Sequence, residues 1–357
     1  MIPKHFLIIF ASFLSFGFST SSYSANLKEV DTKSYIKEFI DHHLKDSHSF
    51  GITSYTDENG KKVYIELPLP VILYDNGFKT FLSSDFKHGK KTVNSGDSYY
   101  RMNYDNNRIY KTDKDGKIMF DDSGKILNEK PIDFSITKNV VVIIFTALFM
   151  FWLFSNLARS YKKNNGIASG FGRLFEPVVL YVRDDIARPN IGEKNYKKYM
   201  SFLLTIFFFV LFLNLFGLTP IGINVTGNIA ITFSLALLTF VITNITANKN
   251  YWMHIFWMPG VPTLMKIVLA PIEVLGLFIK PLTLMIRLYA NMQGGHIVIM
   301  SIIGLMFIFS NWIGSSLSFV LAFFLMIIEV FVALLQAYIF TILSALYFGF
   351  ANEEHEH

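Results

Sequence analysis

The 357-residue chain contains no cysteine, which excludes disulfides, iron–sulfur clusters and thiol chemistry. Charge is nearly as scarce. Asp, Glu, Lys and Arg make up 17% of the residues, against about 25% in a soluble domain. The shortage is local: from Ser201 to Phe350 the formally charged side chains are Lys249, Lys266, Glu273, Lys280, Arg287 and Glu329. That half cannot cover itself with polar surface, so it needs lipid or partner subunits. A soluble enzyme, a disordered chain and a nucleic-acid binder are excluded on this ground. The net charge of +5 is accounted for by loop lysines. A P-loop signature is also missing, so no chemistry on ATP is expected of this chain, and no cofactor is implied. What fills the sequence instead is apolar: 52% hydrophobic residues, with 37 phenylalanines.

The first residues read as an address. Lys4 and His5 precede the apolar run Phe6–Phe18, and the small residues Ser22 and Ser24 follow at signal-peptidase spacing. Residues 1–24 are expected to be a signal peptide; an uncleaved anchor is the other reading. Residues 25–138 are expected to form a small extracytoplasmic α+β domain. Ile36, Phe39, Ile40 and His43 recur at helical spacing. Asn59-Gly60 separates Gly51–Thr56 from Val63–Leu67, and Asp115-Gly116 separates Arg108–Thr112 from Lys117–Phe120, two hairpin signals. Pro68 and Pro70 demote the next run to an edge strand or loop. His42, His43 and His48 do not make a metal site: on a helix the first two point about 100° apart, and no carboxylate completes the set.

From residue 139 to 350 the chain reads as an all-α membrane domain. Val140–Leu157 is long enough to span a bilayer, and Arg159, Lys162 and Lys163 behind it place that end in the cytoplasm. Gly172–Arg188 is too charged to span and is expected to lie at the interface. Lys194, Lys197 and Lys198 keep the next loop inside. Phe202–Leu218 runs outward as the second span, and Ile229–Ala247 returns as the third to Lys249. Two longer stretches follow, Val261–Ser310 and Trp312–Phe350. Each exceeds one perpendicular crossing, so strong tilt or an in-plane hairpin is expected. Residues 351–357 form the cytoplasmic tail of a multi-pass inner-membrane protein.

Ionisable residues inside a membrane are expensive and by default mark a path for an ion or substrate. The fourth segment carries Glu273, Lys280, Arg287 and His296, and the last carries Glu329. Arg287 cannot lose its proton, so it acts only as a fixed positive charge. Its own helix offers no counter-charge, since Thr283, Leu284, Ala290 and Asn291 stand three and four residues away. Its partner must come from another helix or chain; Glu329 is the candidate within this one. Ala290, Asn291 and Gly294 allow another helix to approach closely. His296 lies about 14 Å further along the axis on the opposite face. Glu329 and Gln336 share one face of the last helix. His, Glu and Gln are suitable stations for a proton or water wire, Gln by orienting water.

Lys280–His296 (KPLTLMIRLYANMQGGH), Leu334–Tyr347 (LLQAYIFTILSALY) and Asn214–Pro220 (NLFGLTP) closely resemble subunit a of the F-type rotary ATP synthase, here an N-terminally extended bacterial variant. The resemblance implies a stator wall beside a ring of c subunits, each with one membrane carboxylate, together with peripheral-stalk b subunits. It implies that Arg287 faces that carboxylate and that His296 and Glu329 are the family's interacting polar pair, with the order of acid and histidine exchanged as in mitochondrial members. It places Asn291 and Gln336 on the access path and Glu273 on the cytoplasmic side. The alternatives are an ion-coupled secondary transporter, which usually shows repeated motifs absent here, and a scaffold whose charges are interface glue.

Overall fold

The computed structural model describes residues 40, 44–56, 62–87, 89–96, 98–103, 106–167, 170, 172–219, 223–258, 260–309 and 312–353. The expected signal peptide, His42 and His43 with most of the first amphipathic helix, and residues 354–357 of the tail lie outside them. The described part is predominantly helical, with a small β region first and five helices long and apolar enough to cross a membrane.

The β region has three small antiparallel sheets. β1 (Ser49–Thr56) pairs with β2 (Lys62–Pro68), as its pattern predicted. β3 (Pro70–Tyr74) lies between β4 (Phe78–Leu82) and β8 (Ile132–Asp133). This corrects the expectation of an edge strand or loop. Pro70 is the first residue of β3, where a missing N–H costs no ladder bond, and its carbonyl accepts from Ile136 N–H at 3.1 Å. β5 (Val93–Ser95), β6 (Ser98–Asn103) and β7 (Arg108–Thr112) form the third sheet. The predicted Asp115-Gly116 hairpin is also corrected, because β7 pairs with β6 and not with Lys117–Phe120. The Gly116 turn does form, but Arg101 on β6 donates to its carbonyl at 2.6 Å, and Lys111 N–H on β7 donates to Glu129 O. The chain after the turn is thereby drawn past β7. Val71, Leu73, Phe86, Tyr100, Met102 and Ile109 pack as the core of this region.

At the rim of that core, Tyr100 O–H donates to Asp75 at 2.7 Å and Lys111 Nζ sits 3.0 Å from the same oxygen. The hydrogen bond from Tyr100, then that from Lys111, holds the Asp75 carboxyl below its usual range. Folded Asp75 therefore binds protons less readily than unfolded Asp75. Its stabilising contribution is present above the ordinary value of 3.8 and is lost as pH falls through the lowered one. Hydrogen exchange of the β region, corrected for intrinsic rates, should show protection falling in that acid window. Tyr100→Phe should flatten the dependence; an unchanged slope would count against the pairing.

α1 (Lys138–Lys163) is the first span, with Lys162 and Lys163 in its last turn. α2 (Gly172–Tyr181) continues through a π-helical turn, Val182–Ala187, into Arg188–Ile191. Val182, Ile186 and Ala187 bury into the helical core, while Asp184 pairs outward with Arg183 and Arg188, the two-faced pattern of an interfacial segment. α3 (Tyr196–Gly217) is the central span; Leu203, Phe208, Val210 and Leu213 are fully buried. The phenylalanines explain why: Phe149 of α1 meets Phe212 edge-on at 5.2 Å, and Phe154 meets Phe208 at 4.9 Å. α4 (Ile229–Thr246) starts from Asn228, whose side chain caps Ala230 N–H, and α5 (Lys249–Phe256) is a short connector.

Two long helices complete the fold. α6 (Thr263–Ile308) has 46 residues and α7 (Trp312–Asn352) has 41. At 1.5 Å per residue they are about 69 Å and about 62 Å long, twice a hydrocarbon core of about 30 Å. They pack on each other, α7 also against α3, and α6 also against α4.

Candidate functional site

Rising numbers on α6 meet falling numbers on α7. Lys280 Nζ lies 5.8 Å from the Tyr347 ring and 5.9 Å from the Phe350 ring, and Gly295 lies against the Glu329 carboxyl. Arg287 falls between these crossings. Leu284, Met285 and Leu288 turn inward and are buried, whereas Ile286, Ala290, Asn291 and Gly294 are exposed and Arg287 is half-buried. The outward stripe thus carries the arginine among small or polar neighbours. Among the described residues no carboxylate comes within ion-pair distance of Arg287. Pairing with Glu329 is ruled out by level, because Gly295, which Glu329 touches, is eight residues or about 12 Å further along α6.

His296 points the other way, into the bundle, and is 5% exposed. Its Nε2 lies 3.1 Å from the Gly217 carbonyl at the end of α3. A carbonyl only accepts, so Nε2–H is the donor and Nδ1 carries the lone pair in the neutral ring. Among the described residues neither Nδ1 nor Oε2 of Glu329, both buried, has a hydrogen-bond partner. The two side chains stand at one level of the α6–α7 seam but are not hydrogen-bonded to each other. Gln336 is buried on α7, two turns from Glu329.

A polar cluster that sequence reasoning missed adjoins His296. Thr226 Oγ1 donates to Asn214 Oδ1 at 2.8 Å, and Asn224 Nδ2 donates to Gln293 Oε1 at 3.3 Å. Asn224 Oδ1 also accepts from Gly227 N–H. Asn214 Nδ2 is buried and has no hydrogen-bond partner among the described residues. Asn214, His296 and Glu329, from three helices, therefore each offer a buried polar atom to water or to a moving proton. One signal was available: Gln293 precedes His296 by three residues and so shares its face.

A second polar group lies towards the other end of α6. Glu273 is half-buried near Tyr251 of α5, whose hydroxyl is held above its ordinary value by burial and then by the Glu273 charge. A small cavity is lined by Tyr251 together with Thr239, Asn244, Lys280 and Tyr347, and Asn244 Oδ1 is buried with no hydrogen-bond partner among the described residues. Glu273 and Arg287 are fourteen residues apart, about 21 Å along the axis. Among the described residues no three His, Asp or Glu side chains converge as metal ligands.

Residues 140–349 match the family described as ATP synthase A chain, and residues 39–134 match a domain of unknown function. The ATP synthase subunit a of Chloroherpeton thalassium is 41% identical over 230 residues, 63% of this chain and 69% of its own. That of Chlorobium phaeobacteroides strain BS1 is 43% identical over 234 residues, 63% and 68% of the two chains. That of Myxococcus xanthus is 38% identical over 240 residues, 63% and 78%. With the matched segment spanning all five membrane-length helices, the chain belongs to the ATP synthase A chain family, the subunits a of the F-type enzyme.

Proposed function

We propose that this chain is the stationary proton-conducting subunit of the ATP synthase membrane sector, working beside a ring of c subunits and held by peripheral-stalk b subunits. One observation carries the reading. A fixed cation with no ion-pair partner among the described residues, Arg287, stands between two separated polar groups, one around His296, Glu329 and Asn214 and one around Glu273 and Tyr251. The first group serves as the outer half-channel and the second as the cytoplasmic one. In this reading α6 and α7 form a strongly tilted hairpin, the β region lies outside and the C-terminus lies in the cytoplasm. The lysines at 162, 163, 194, 197, 198 and 249 support that orientation.

The mechanism follows from the cost of charge in lipid. A ring carboxylate facing lipid stays neutral, since ionisation at the bilayer centre costs about 2.5–3.5 kcal/mol. Opposite Arg287 the ionised form is stabilised, and the proton leaves by the cytoplasmic group. Asn291, next to Arg287 on the outward stripe, borders the exchange. The emptied carboxylate takes a new proton delivered past Gln336, Glu329 and His296. Arg287 repels hydronium and so blocks a direct leak between the two groups. Each proton crossing 100 mV releases about 2.3 kcal/mol, which turns the ring.

The test is reconstitution. In liposomes under an imposed potential, this chain alone should carry no proton flux, and this chain with the c ring should carry it. Flux through the chain alone, followed with a pH-sensitive dye, would favour the transporter alternative.

A further inference from the structure

The residues before α1 are joined by side-chain packing to the apolar residues that alternate with the outer polar group, and by hydrogen bonds to the start of α1. We propose that the β region is a clamp for that group, with Phe50 as the positioning residue that holds the 223–226 segment against α3. The proposal rests on the reading of the Asn214–His296 group as the outer half-channel, and it gives a role to the segment matching a domain of unknown function.

Phe50 of β1 packs on a cluster of Leu213, Ile223 and Val225, which Val142 and Ile143 of α1 also cover. Those apolar residues alternate with the polar ones of the site. Leu213 precedes Asn214, and Ile223, Asn224, Val225 and Thr226 follow one another. Within this short segment the apolar side chains pack with Phe50, while Asn224 reaches Gln293 and Thr226 reaches Asn214. Gln293 is one turn from His296, and Gly217, three residues from Asn214, holds the His296 ring. A displacement of the 223–226 segment therefore acts directly on Asn214 and on Gln293, and through Gln293 on the face of α6 that carries His296. Against that displacement the segment's own local bonds, among the described residues, are few: a tight turn from Val225 N–H to Ile223 O at 2.8 Å, Asn228 N–H to Val225 O at 3.1 Å, and the Asn224 cap on Gly227.

Phe50 can resist it because its own strand is fixed at the root. Lys138 N–H donates to Ser47 O at 3.0 Å and Asn139 N–H to Asp46 Oδ1 at 3.3 Å, so residues 46–47 satisfy two amides of the first turn of α1. Asn107 Nδ2 donates to Asp46 O at 3.1 Å, and His48 Nε2 lies 3.0 Å from Asp133 Oδ2. The start of β1 is thus bound both to the membrane helix and to the rest of the β region. Phe50 projects two residues beyond that anchorage.

The experiment uses the whole ATP synthase in liposomes, measuring ATP synthesis against the pH on the side of the β region at fixed potential. Phe50→Ala should shift the half-maximal point to more acidic pH by about 0.5 unit or more, a threefold weaker proton uptake of the size that a mutation along a coupling network produces. The rate at saturating acidity should be preserved, and Phe50→Leu, which refills most of the volume, should return the profile towards the parent. A second readout reports the segment itself. Val225→Cys, buried in the parent and alone in a chain without cysteine, should resist an impermeant maleimide. Combined with Phe50→Ala, it should react. If the pH profile stays put, or if Val225→Cys stays protected in the double variant, the clamp is refuted. The channel reading itself is unaffected by that result, since it stands or falls on flux requiring the ring. If Phe50→Ala fails to assemble, the Phe50→Leu and Phe50→Met profiles decide: parent-like profiles support the clamp, and shifts unrelated to side-chain volume overturn it.

Discussion

Arg287→Ala should abolish ATP-driven proton pumping by inverted vesicles, a fall of about 100-fold or more, the scale on which loss of one preorganised charge is felt. The complex should nevertheless remain assembled, with the c ring and the stalk recovered by pull-down. Assembly is expected to survive because Arg287 has no ion-pair partner among the described residues, so its removal strands no carboxylate in this chain. The buried face of the same turn, Leu284, Met285 and Leu288, is left intact. Arg287→Lys decides what the charge is for. A scaffold needs only a cation on the outward stripe and should tolerate lysine. A partner for a carboxylate that ionises at every step needs the planar fork and a charge that cannot be lost, and lysine has neither. Pumping by Arg287→Lys should therefore fall nearly as far as with alanine. Near-normal pumping by either variant would reduce Arg287 to interface glue.

The arginine was legible in the sequence because its anomaly is local: a permanent charge between Ile286 and Leu288 with no acid one turn away. The helices were legible for the same reason. The predicted span Val140–Leu157 lies within α1, Ile229–Ala247 differs from α4 by one residue, and Trp312–Phe350 differs from α7 by two. What failed depended on contacts distant in sequence. Whether Glu329 meets Arg287 or Gly295 is set by the relative stagger of α6 and α7, which no pattern on either helix encodes. The Asp115-Gly116 turn was real, but Arg101 fourteen residues earlier decided where the chain goes next. Pro70 was read from a rule about strand interiors and turned out to stand at a strand start. Asn224 and Thr226 sit in a loop with no periodicity, so only their partners Gln293 and Asn214 give them meaning.

Gly295→Ala should separate the role of Glu329 from the packing around it. A Cβ at Gly295 would fall on Cδ and both carboxyl oxygens of Glu329. Those atoms end a flexible side chain, so the helices can keep their seam while the carboxyl swings aside. The structural cost is then small, and the functional cost is large. A reacting group displaced by about 1 Å can lose 100-fold in rate, and proton flux should fall on that scale while the assembled complex is recovered in parent-like yield. Glu329→Gln, which keeps the shape and removes the titrating proton, should be as damaging. The informative variant is the double one. Glu329→Asp withdraws the carboxyl by one carbon–carbon bond, about 1.5 Å, and makes room for the new methyl. Gly295→Ala with Glu329→Asp should therefore conduct better than Gly295→Ala alone, a non-additivity expected only of residues in contact. Strictly additive losses would mean that the contact does not govern conduction, and the outer path would then have to bypass Glu329. Recovery in the double variant would instead tie proton transfer to the position of that carboxyl, at the level where His296 turns inward towards Gly217 and Arg287 is two helical turns away.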